Sequence, residues 1–381
     1  MILRPRLQAK IEQSISVSPI VALLGPRQCG KTTISRVIAD NYKAVVFDLE
    51  NPVDYQQLSV APLITLQSLN GLVIIDEVQL LPELTSILRI LADRPNSAAK
   101  FLILGSASPV MMKNAAESLA GRVSFIDMSG FNLEEIGAEH LQLLWTRGGF
   151  PRSFLGKDER ISFKWRQDFI RTFLERDIPQ LGISIPAVSL RRFWTMLAHY
   201  HGNIWNGSDF ARSIGTSEPT ARRYLDILSG AFVVNQLQPW HENIKKRQVK
   251  SPKVYIRDSG LLHALLSLEG DTIIQHPKLG FSWEGFIIEQ LISKLGSPCY
   301  FWATYAGGEI DLLTIQNGKK IGFEIKYTDA PRITKSMLLA IEDLSLERLF
   351  IIYPEDKDYA LHDKIQVMPA KNIWSFDMGH Y

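Results

Sequence analysis

The stretch Gly25-Pro26-Arg27-Gln28-Cys29-Gly30-Lys31-Thr32 constrains this chain more than any other. It fills every required position of the G-x-x-x-x-G-K-[ST] phosphate loop, and the spacing has a physical reason. Gly25 and Gly30 let the backbone curl so that its N–H groups point at a polyphosphate. Lys31 reaches the β- and γ-phosphates, and Thr32 places a hydroxyl on Mg²⁺. The flanks agree. Residues 20–24 form an apolar run suited to a buried strand, and residues 32–39 read as a helix whose N-terminus faces the anion. Residues 25–33, Thr33 included, are therefore the expected ATP-binding segment.

A second motif fits the first. Leu72-Val73-Ile74-Ile75-Asp76-Glu77 is a hydrophobic strand ending in two carboxylates. Asp76 is expected to hold Mg²⁺ through water and Glu77 to polarise the attacking water, with these acids and the phosphate loop at the ends of adjacent strands. The alternative is a buried strand whose acids are merely solvated at its end.

Composition sets outer bounds. A chain of 381 residues that is 46% hydrophobic has ample material for two or three domains. Net charge is +2, which neither requires nor excludes nucleic acid. The two cysteines, Cys29 and Cys299, have no metal-ligand spacing and suggest no disulfide framework, as in a reducing compartment. The N-terminus lacks the apolar core of a secretion signal, and no apolar run is long enough to span a bilayer. A cytoplasmic location without membrane partners is the expectation.

Apolar runs at 20–24, 44–48, 72–76, 101–104 and 123–127 alternate with helical patterns, which predicts an α/β domain with a parallel sheet covered by helices on both faces. Residues 80–92 carry Leu84, Ile87, Leu88 and Leu91 on one helical face. The fourth strand is followed by Gly105-Ser106-Ala107-Ser108; a strand beside the phosphate loop with a polar tip is the arrangement of a sensor of the γ-phosphate or its water, and Ser106 is the candidate. The same residues also suit an ordinary small-residue turn. Arg122, in Ser118-Leu119-Ala120-Gly121-Arg122, precedes the last strand. In AAA+ ATPases, which this stretch resembles, an arginine there often reaches the neighbouring subunit's nucleotide and can supply roughly 10³–10⁵ in rate; the alternative is a surface arginine or an internal salt bridge. Arg152 is a weaker candidate for sensing nucleotide.

Together the phosphate loop, the Ile-Ile-Asp-Glu-Val-Gln strand end, Gly-Ser-Ala-Ser-Pro and Ser-Leu-Ala-Gly-Arg resemble a prokaryotic AAA-type ATPase family. Its members carry a C-terminal domain of unknown function with a winged helix and a restriction-endonuclease-like fold. The resemblance covers nearly the whole chain. It implies an AAA-type P-loop ATPase core over 1–140, a helical lid and connector over 141–190, a winged helix over 191–270 and a nuclease-like α/β domain over 271–381.

The residues support that division. Trp165, Phe169, Phe173 and Leu174 give the connector apolar anchors. Residues 208–215 and 217–228 read as two helices capped by Ser208 and Ser217, with Pro219 in the first turn of the second. Ala221, Tyr224, Leu225 and Leu228 share the inward face of the second helix, which leaves Thr220, Arg222 and Arg223 outward. Strands at 232–237 and 254–257 flank a loop holding Lys245, Lys246, Arg247, Lys250 and Lys253. Helix-turn-helix followed by a basic hairpin is a winged-helix pattern, with Arg222, Arg223, Lys245, Lys246 and Arg247 as candidate DNA or RNA contacts. Such domains also serve as protein-contact modules.

The last segment holds a second constellation. Residues 308–315 read as a strand, Asn317-Gly318 as a tight turn and residues 320–326 as the returning strand. If those two residues are the loop, Gln316 pairs with Lys319, Asp311 falls opposite Glu324, and Glu309 opposite Lys326. Carboxylates directly opposite stand roughly 4.5–5.5 Å apart at Cβ and repel, so they need a cation between them. A second Mg²⁺ or Mn²⁺ is the expected occupant. The segment resembles the PD-(D/E)xK nuclease site, with Asp311 and Glu324-Ile325-Lys326 matching the motif and Glu284 the acid of the preceding helix. Lys326 would then position water or stabilise developing charge. The alternative pairs Lys326 with Glu309 and leaves the acids in solvent.

Two readings result. One is an ATP-hydrolysing enzyme that couples nucleotide state to a nucleic-acid-binding, nuclease-like module, with self-association through Arg122. The other is an ATP-dependent regulatory or scaffold protein whose C-terminal domains bind a protein partner and cleave nothing.

Overall fold

A computed structural model describes residues 2–94, 99–106, 119–296 and 298–376. Ala107, Ser108, Pro109 and Ser118 of the motifs above lie outside the described residues. The chain forms two compact units. The first is residues 1–130 with the short stretches 180–182 and 226–232, and the second is the remainder.

In the first unit five strands form one sheet: β1 (Ile20–Gly25), β2 (Val45–Asp48), β3 (Gly71–Asp76), β4 (Ala99–Ser106) and β5 (Val123–Asp127). Their order is β2-β3-β4-β1-β5 and every pairing is parallel. Strands β1, β3 and β4 are almost continuously apolar because they lie inside a sheet covered on both faces. Covering helices include α1 (Pro5–Val17), α2 (Lys31–Tyr42), α3 (Pro52–Val60), α4 (Pro62–Gln67) and α5 (Leu84–Ala92). Leu84, Leu88 and Leu91 of α5 join Ile20, Val73, Ile75 and Phe101 in one buried core, with Ile87 packed at its margin. The helix begins four residues later than its periodicity suggests, because Val78–Leu80 forms a separate 3₁₀ turn.

One expectation needs correction. β1 and β3 are not neighbours: β4 runs between them, pairing with both. The phosphate loop and the Asp76-Glu77 pair therefore flank the tip of β4, where Ser106 stands in register with Gly25.

The second unit begins with short helices and α6 (Glu159–Thr172), which continues through a π-helical turn at Phe173–Asp177. Phe169 lies 4.7 Å from the Phe150 ring and 5.3 Å from Trp165, so the expected aromatic anchors do pack together. Then come α7 (Ala187–His199), β6 (Asn203–Ile204), α8 (Gly207–Ile214), α9 (Glu218–Gly230), β7 (Val234–Leu237) and β8 (Lys253–Ile256). The three strands form an antiparallel sheet in the order β6-β8-β7. Ser217 accepts from the Thr220 N–H at the start of α9, as a cap does. For α8 the cap is Asn206, whose side chain accepts from Asp209, and Ser208 lies inside the first turn. Ala221 and Leu225 are buried, whereas Arg222 and Arg223 are exposed.

After α10 (Ser259–Leu265) and α11 (Leu279–Leu295), a six-stranded mixed sheet is built from β9 (Cys299–Ala303), β10 (Glu309–Gln316), β11 (Lys319–Ile325), β12 (Arg348–Tyr353), β13 (Tyr359–His362) and β14 (Ile365–Pro369), with α12 (Lys335–Leu344) crossing between β11 and β12. Its order is β13-β14-β12-β11-β10-β9. The turn between β10 and β11 places Asn317 at φ 50° and Gly318 at φ 79°, the twist that a two-residue hairpin loop needs. Gln316 pairs with Lys319, and the register continues to Leu312 opposite Phe323.

The connection from β7 to β8 does not project freely. Trp240 N–H donates to the Phe301 carbonyl at 2.7 Å and Val249 N–H to the Ala303 carbonyl at 3.0 Å. The loop thus lies along β9 and covers an edge of the sheet that would otherwise expose unpaired backbone groups.

Candidate functional site

The phosphate loop takes its shape from two left-handed residues, Gln28 at φ 63° and Gly30 at φ 102°. Gly25 is required for a different reason. A Cβ there would sit 2.1 Å from the Met128 carbonyl oxygen, so no side chain fits. Cys29 is buried, and Arg27 pairs with Glu50 at 3.7 Å. α2 starts at Lys31, which leaves the N-terminal amides of the helix open to an anion, as a phosphate site requires. The Lys31 ammonium is buried and donates to the carbonyls of Gly25 at 3.0 Å and Pro26 at 2.9 Å. It is held at the mouth of the loop by weakly charged partners.

Asp76 ends β3 almost fully buried. Its Oδ2 accepts from the Thr32 hydroxyl at 2.8 Å and its Oδ1 from the Glu77 N–H at 2.9 Å. Burial raises its pKa above the usual carboxylate range, and the Thr32 hydrogen bond only partly offsets this. A desolvated carboxylate beside a hydroxyl and the loop amides fits Mg²⁺, which takes a few hard oxygen ligands and keeps waters.

Glu77 sits in the left-handed region at φ 54°, turning the chain out of β3 into the 3₁₀ turn. That turn brings back Gln79, whose Nε2 donates to Glu77 Oε2 and to Ser106 Oγ, the latter at 2.9 Å. Gln79 Oε1 is buried and has no partner among the described residues. Lys31, Thr32, Asp76, Glu77 and Ser106 are thus brought together as expected, with Gln79 as an addition. Its only sequence signal is its place in the Asp-Glu-Val-Gln run.

Arg122 lies elsewhere. Its carbonyl accepts from Ile20 N–H at 3.2 Å, which puts it at the start of β1 and β5, the sheet edge opposite the phosphate loop. Its guanidinium forks onto Asp93, with Nη2 donating to Oδ2 at 2.9 Å, and Nη1 donates to the Ala120 carbonyl at 2.8 Å. Of the expected alternatives, the internal salt bridge is the one formed. Arg152 is exposed in a short helix, Pro151–Phe154, of the second unit.

In the second unit two of the expected carboxylates, Glu284 and Asp311, converge with Glu309 around a lysine. Lys253, read above as part of an exposed basic loop, is instead buried on β8. Its ammonium lies 2.7 Å from Glu309 Oε1, 3.4 Å from Glu284 Oε1 and 3.5 Å from Asp311 Oδ1. The Tyr255 hydroxyl donates to Glu284 at 2.6 Å, and the Ile325 N–H to Asp311 Oδ2 at 2.9 Å. Lys326 pairs with Glu324 at 2.7 Å, and Glu309 with Lys253; the alternative pairing of Lys326 with Glu309 is not the one formed. Burial, reinforced by the Asp311 charge, pushes Glu284 up to about 7 and Glu324 up to about 8. Burial also opposes the charge on Lys253, but Tyr255, Glu284, Asp311 and Glu309 outweigh it and raise its pKa.

A divalent ion does not fit this arrangement. The space where Glu284, Glu309 and Asp311 meet already holds a cation, and no metal-binding group of three ligand side chains exists among the described residues. The expected Mg²⁺ or Mn²⁺ at Asp311 and Glu324 was inferred from strands β10 and β11 alone. Repulsion between carboxylates is relieved instead by a lysine from a strand distant in sequence.

The basic residues are similarly divided. Lys246 binds both oxygens of Asp343, at 2.8 and 2.6 Å, and Arg247 stacks 4.7 Å above the Tyr305 ring. Lys245 is exposed, as are Arg222 and Arg223 on α9. No helix among the described residues is long and apolar enough to cross a membrane.

Residues 17–137 match the AAA domain family, residues 138–272 a domain of unknown function, DUF8612, and residues 279–373 another, DUF4143. The uncharacterized proteins Rv2008c of Mycobacterium tuberculosis and Mb2031c of Mycobacterium bovis are each 48% identical over 367 residues, spanning 96% of this chain and 83% of their own length. A Walker-type ATPase of Pyrococcus abyssi, PABY2304, superposes with a TM-score of 0.51 at 15% identity, covering 70% of this chain and 96% of its own, which shows a shared fold. The phosphate loop and the Asp76-Glu77 strand end both fall within the matched AAA domain, and the chain belongs to the family of AAA-domain proteins, with DUF4143 following, that includes these two mycobacterial relatives.

Proposed function

We propose that this chain binds ATP with Mg²⁺ in its first unit, hydrolyses it, and uses the nucleotide state to control a C-terminal nucleic-acid-binding module. The observation that carries the first part is the 2.8 Å contact between Thr32 and Asp76 beside Lys31 and Glu77. Thr32 and Asp76 would hold the metal, which supplies charge neutralisation to the phosphates. Lys31 would leave the Gly25 and Pro26 carbonyls for the β- and γ-phosphates. Glu77 takes the proton of the attacking water, and Ser106 orients the reacting end of the site. Arg122, on the far edge of the sheet, serves a neighbouring copy, so turnover requires self-association. Titration of a fluorescent ATP analogue tests the binding step: Lys31→Ala abolishes binding that wild type shows, and equal binding by both would contradict the assignment.

For the second unit, the succession α7-β6-α8-α9-β7-β8 with its antiparallel sheet supports the winged-helix reading, with Arg222, Arg223 and Lys245 exposed on its surface. The β10–β11 hairpin with Asp311, Glu324 and Lys326 supports a nuclease-like fold. One observation favours the second reading, a regulatory or scaffold ATPase that binds without cleaving. Lys246 is committed to Asp343 and Lys253 to the carboxylates, so neither is available to a nucleic acid or leaves room for a catalytic metal.

A further inference from the structure

Three acids from two separate elements converge on the Lys253 ammonium: Glu284 from α11, and Glu309 and Asp311 from β10. Three carboxylate oxygens lie within 3.5 Å of this ammonium, and it donates a hydrogen bond to Glu284 Oε1. The lysine does not arrive by accident of a flexible stem. Its side chain is 5% exposed, its Nζ lies 5.7 Å from the centre of the Phe301 ring, and two residues further along β8 the Tyr255 hydroxyl binds the same Glu284. One strand thus contributes two polar groups to the same cluster, from the same face of the sheet. Beyond them, Glu324 Oε2 is buried and has no partner among the described residues.

Charge makes the role of the lysine specific. Asp311 and Glu324 are buried, Glu284 nearly so and Glu309 exposed; among the described residues Lys253 and Lys326 are the cations paired with these acids. Taking away a buried ammonium leaves its carboxylates uncompensated, which is costly unless another cation or protons enter. Oxygen ligands of Mg²⁺ must close to about 2.0–2.1 Å of the ion, and Lys253 fills that space.

We propose that Lys253 closes a latent divalent-cation site: its ammonium stands in for Mg²⁺ or Mn²⁺ among Glu284, Asp311 and Glu309. With Lys253 in place the C-terminal unit takes no metal there and cuts no phosphodiester. Withdrawal or loss of the lysine exposes an acid cluster with the chemistry to bind a divalent ion. The proposal stands on this geometry alone and is independent of ATP hydrolysis.

The test is Mn²⁺ binding to the full chain, read by calorimetry as the number of sites, with Asp311→Asn as the probe of location. The nucleotide site contributes equally to every protein compared. Wild type and Asp311→Asn should bind the same number of ions. Lys253→Met should gain one ion, and Lys253→Met with Asp311→Asn should lose it again. Lys253→Gln, which keeps a hydrogen-bonding group without the charge, is the second variant if Lys253→Met does not fold by circular dichroism. An Asp311-sensitive ion in wild type overturns the proposal, as does a folded lysine variant that gains none. If neither lysine variant folds, the wild-type comparison decides: equal stoichiometry in wild type and Asp311→Asn upholds closure, and a lost ion overturns it.

Discussion

The Gln79 side-chain amide lies 2.9 Å from the Ser106 hydroxyl and also donates to Glu77, so one side chain links the tips of β3 and β4. The proposed base is therefore not free to rotate. Gln79→Ala should leave ATP affinity nearly unchanged and lower kcat by roughly 10–100-fold, as expected when a general base loses its orientation. Steady-state kinetics separate the two parameters, and an unchanged kcat would remove Gln79 from the machinery.

Acid cluster and stability are linked by pH. Burial and the Asp311 charge push Glu284 up to about 7 and Glu324 up to about 8, from an ordinary glutamate value of 4.5. The folded state binds their protons more tightly than the unfolded state does. Their contribution to stability is fully present below the unfolded value and is lost as pH rises through 7 and 8. Melting curves between these limits should show Glu324→Gln losing less Tm with rising pH than wild type. Parallel curves would mean that Glu324 is ionised throughout.

Arg122 is held by Asp93 at the sheet edge away from its own phosphate loop. If it completes a neighbour's site, ATPase activity per molecule rises with protein concentration, and mixing Arg122→Ala with Lys31→Ala subunits restores part of it. Activity independent of concentration would leave Arg122 as a surface brace.

Nucleic-acid binding by the second unit should weaken steeply with salt, because phosphate contacts release counterions. Arg223→Ala and Lys245→Ala should each reduce the salt dependence. Lys246→Ala should not, since its ammonium is already bound by Asp343. No affinity for any DNA or RNA at low salt would make the unit a protein-binding module.

The nucleotide site was legible in the sequence because its parts are local. A glycine loop, a strand and two terminal carboxylates carry their own spacing, and the structure assembles Lys31, Thr32, Asp76 and Glu77 as that spacing implies. The polar tip of β4 placed that strand beside the phosphate loop, as found, but nothing local to β1 and β3 reveals that they are therefore not neighbours. The Gln316–Lys319 register followed from the demands of an Asn-Gly turn. Lys253 was misread for the opposite reason. It lies in a run of basic residues that looks solvated, and its burial depends on α11 and β10, both distant in sequence. Gln79 was recognised only as part of a motif, because its role arises from a 3₁₀ turn that folds it back over Glu77.

The central claim is that Glu77, next to Asp76, activates water for ATP hydrolysis. Single-turnover ATP cleavage by Glu77→Gln, beside wild type at saturating ATP and Mg²⁺, tests it most directly. Nucleotide binding should persist while the rate falls by roughly 10²–10⁴, the contribution of a general base. Cleavage at the wild-type rate in that variant would contradict the account.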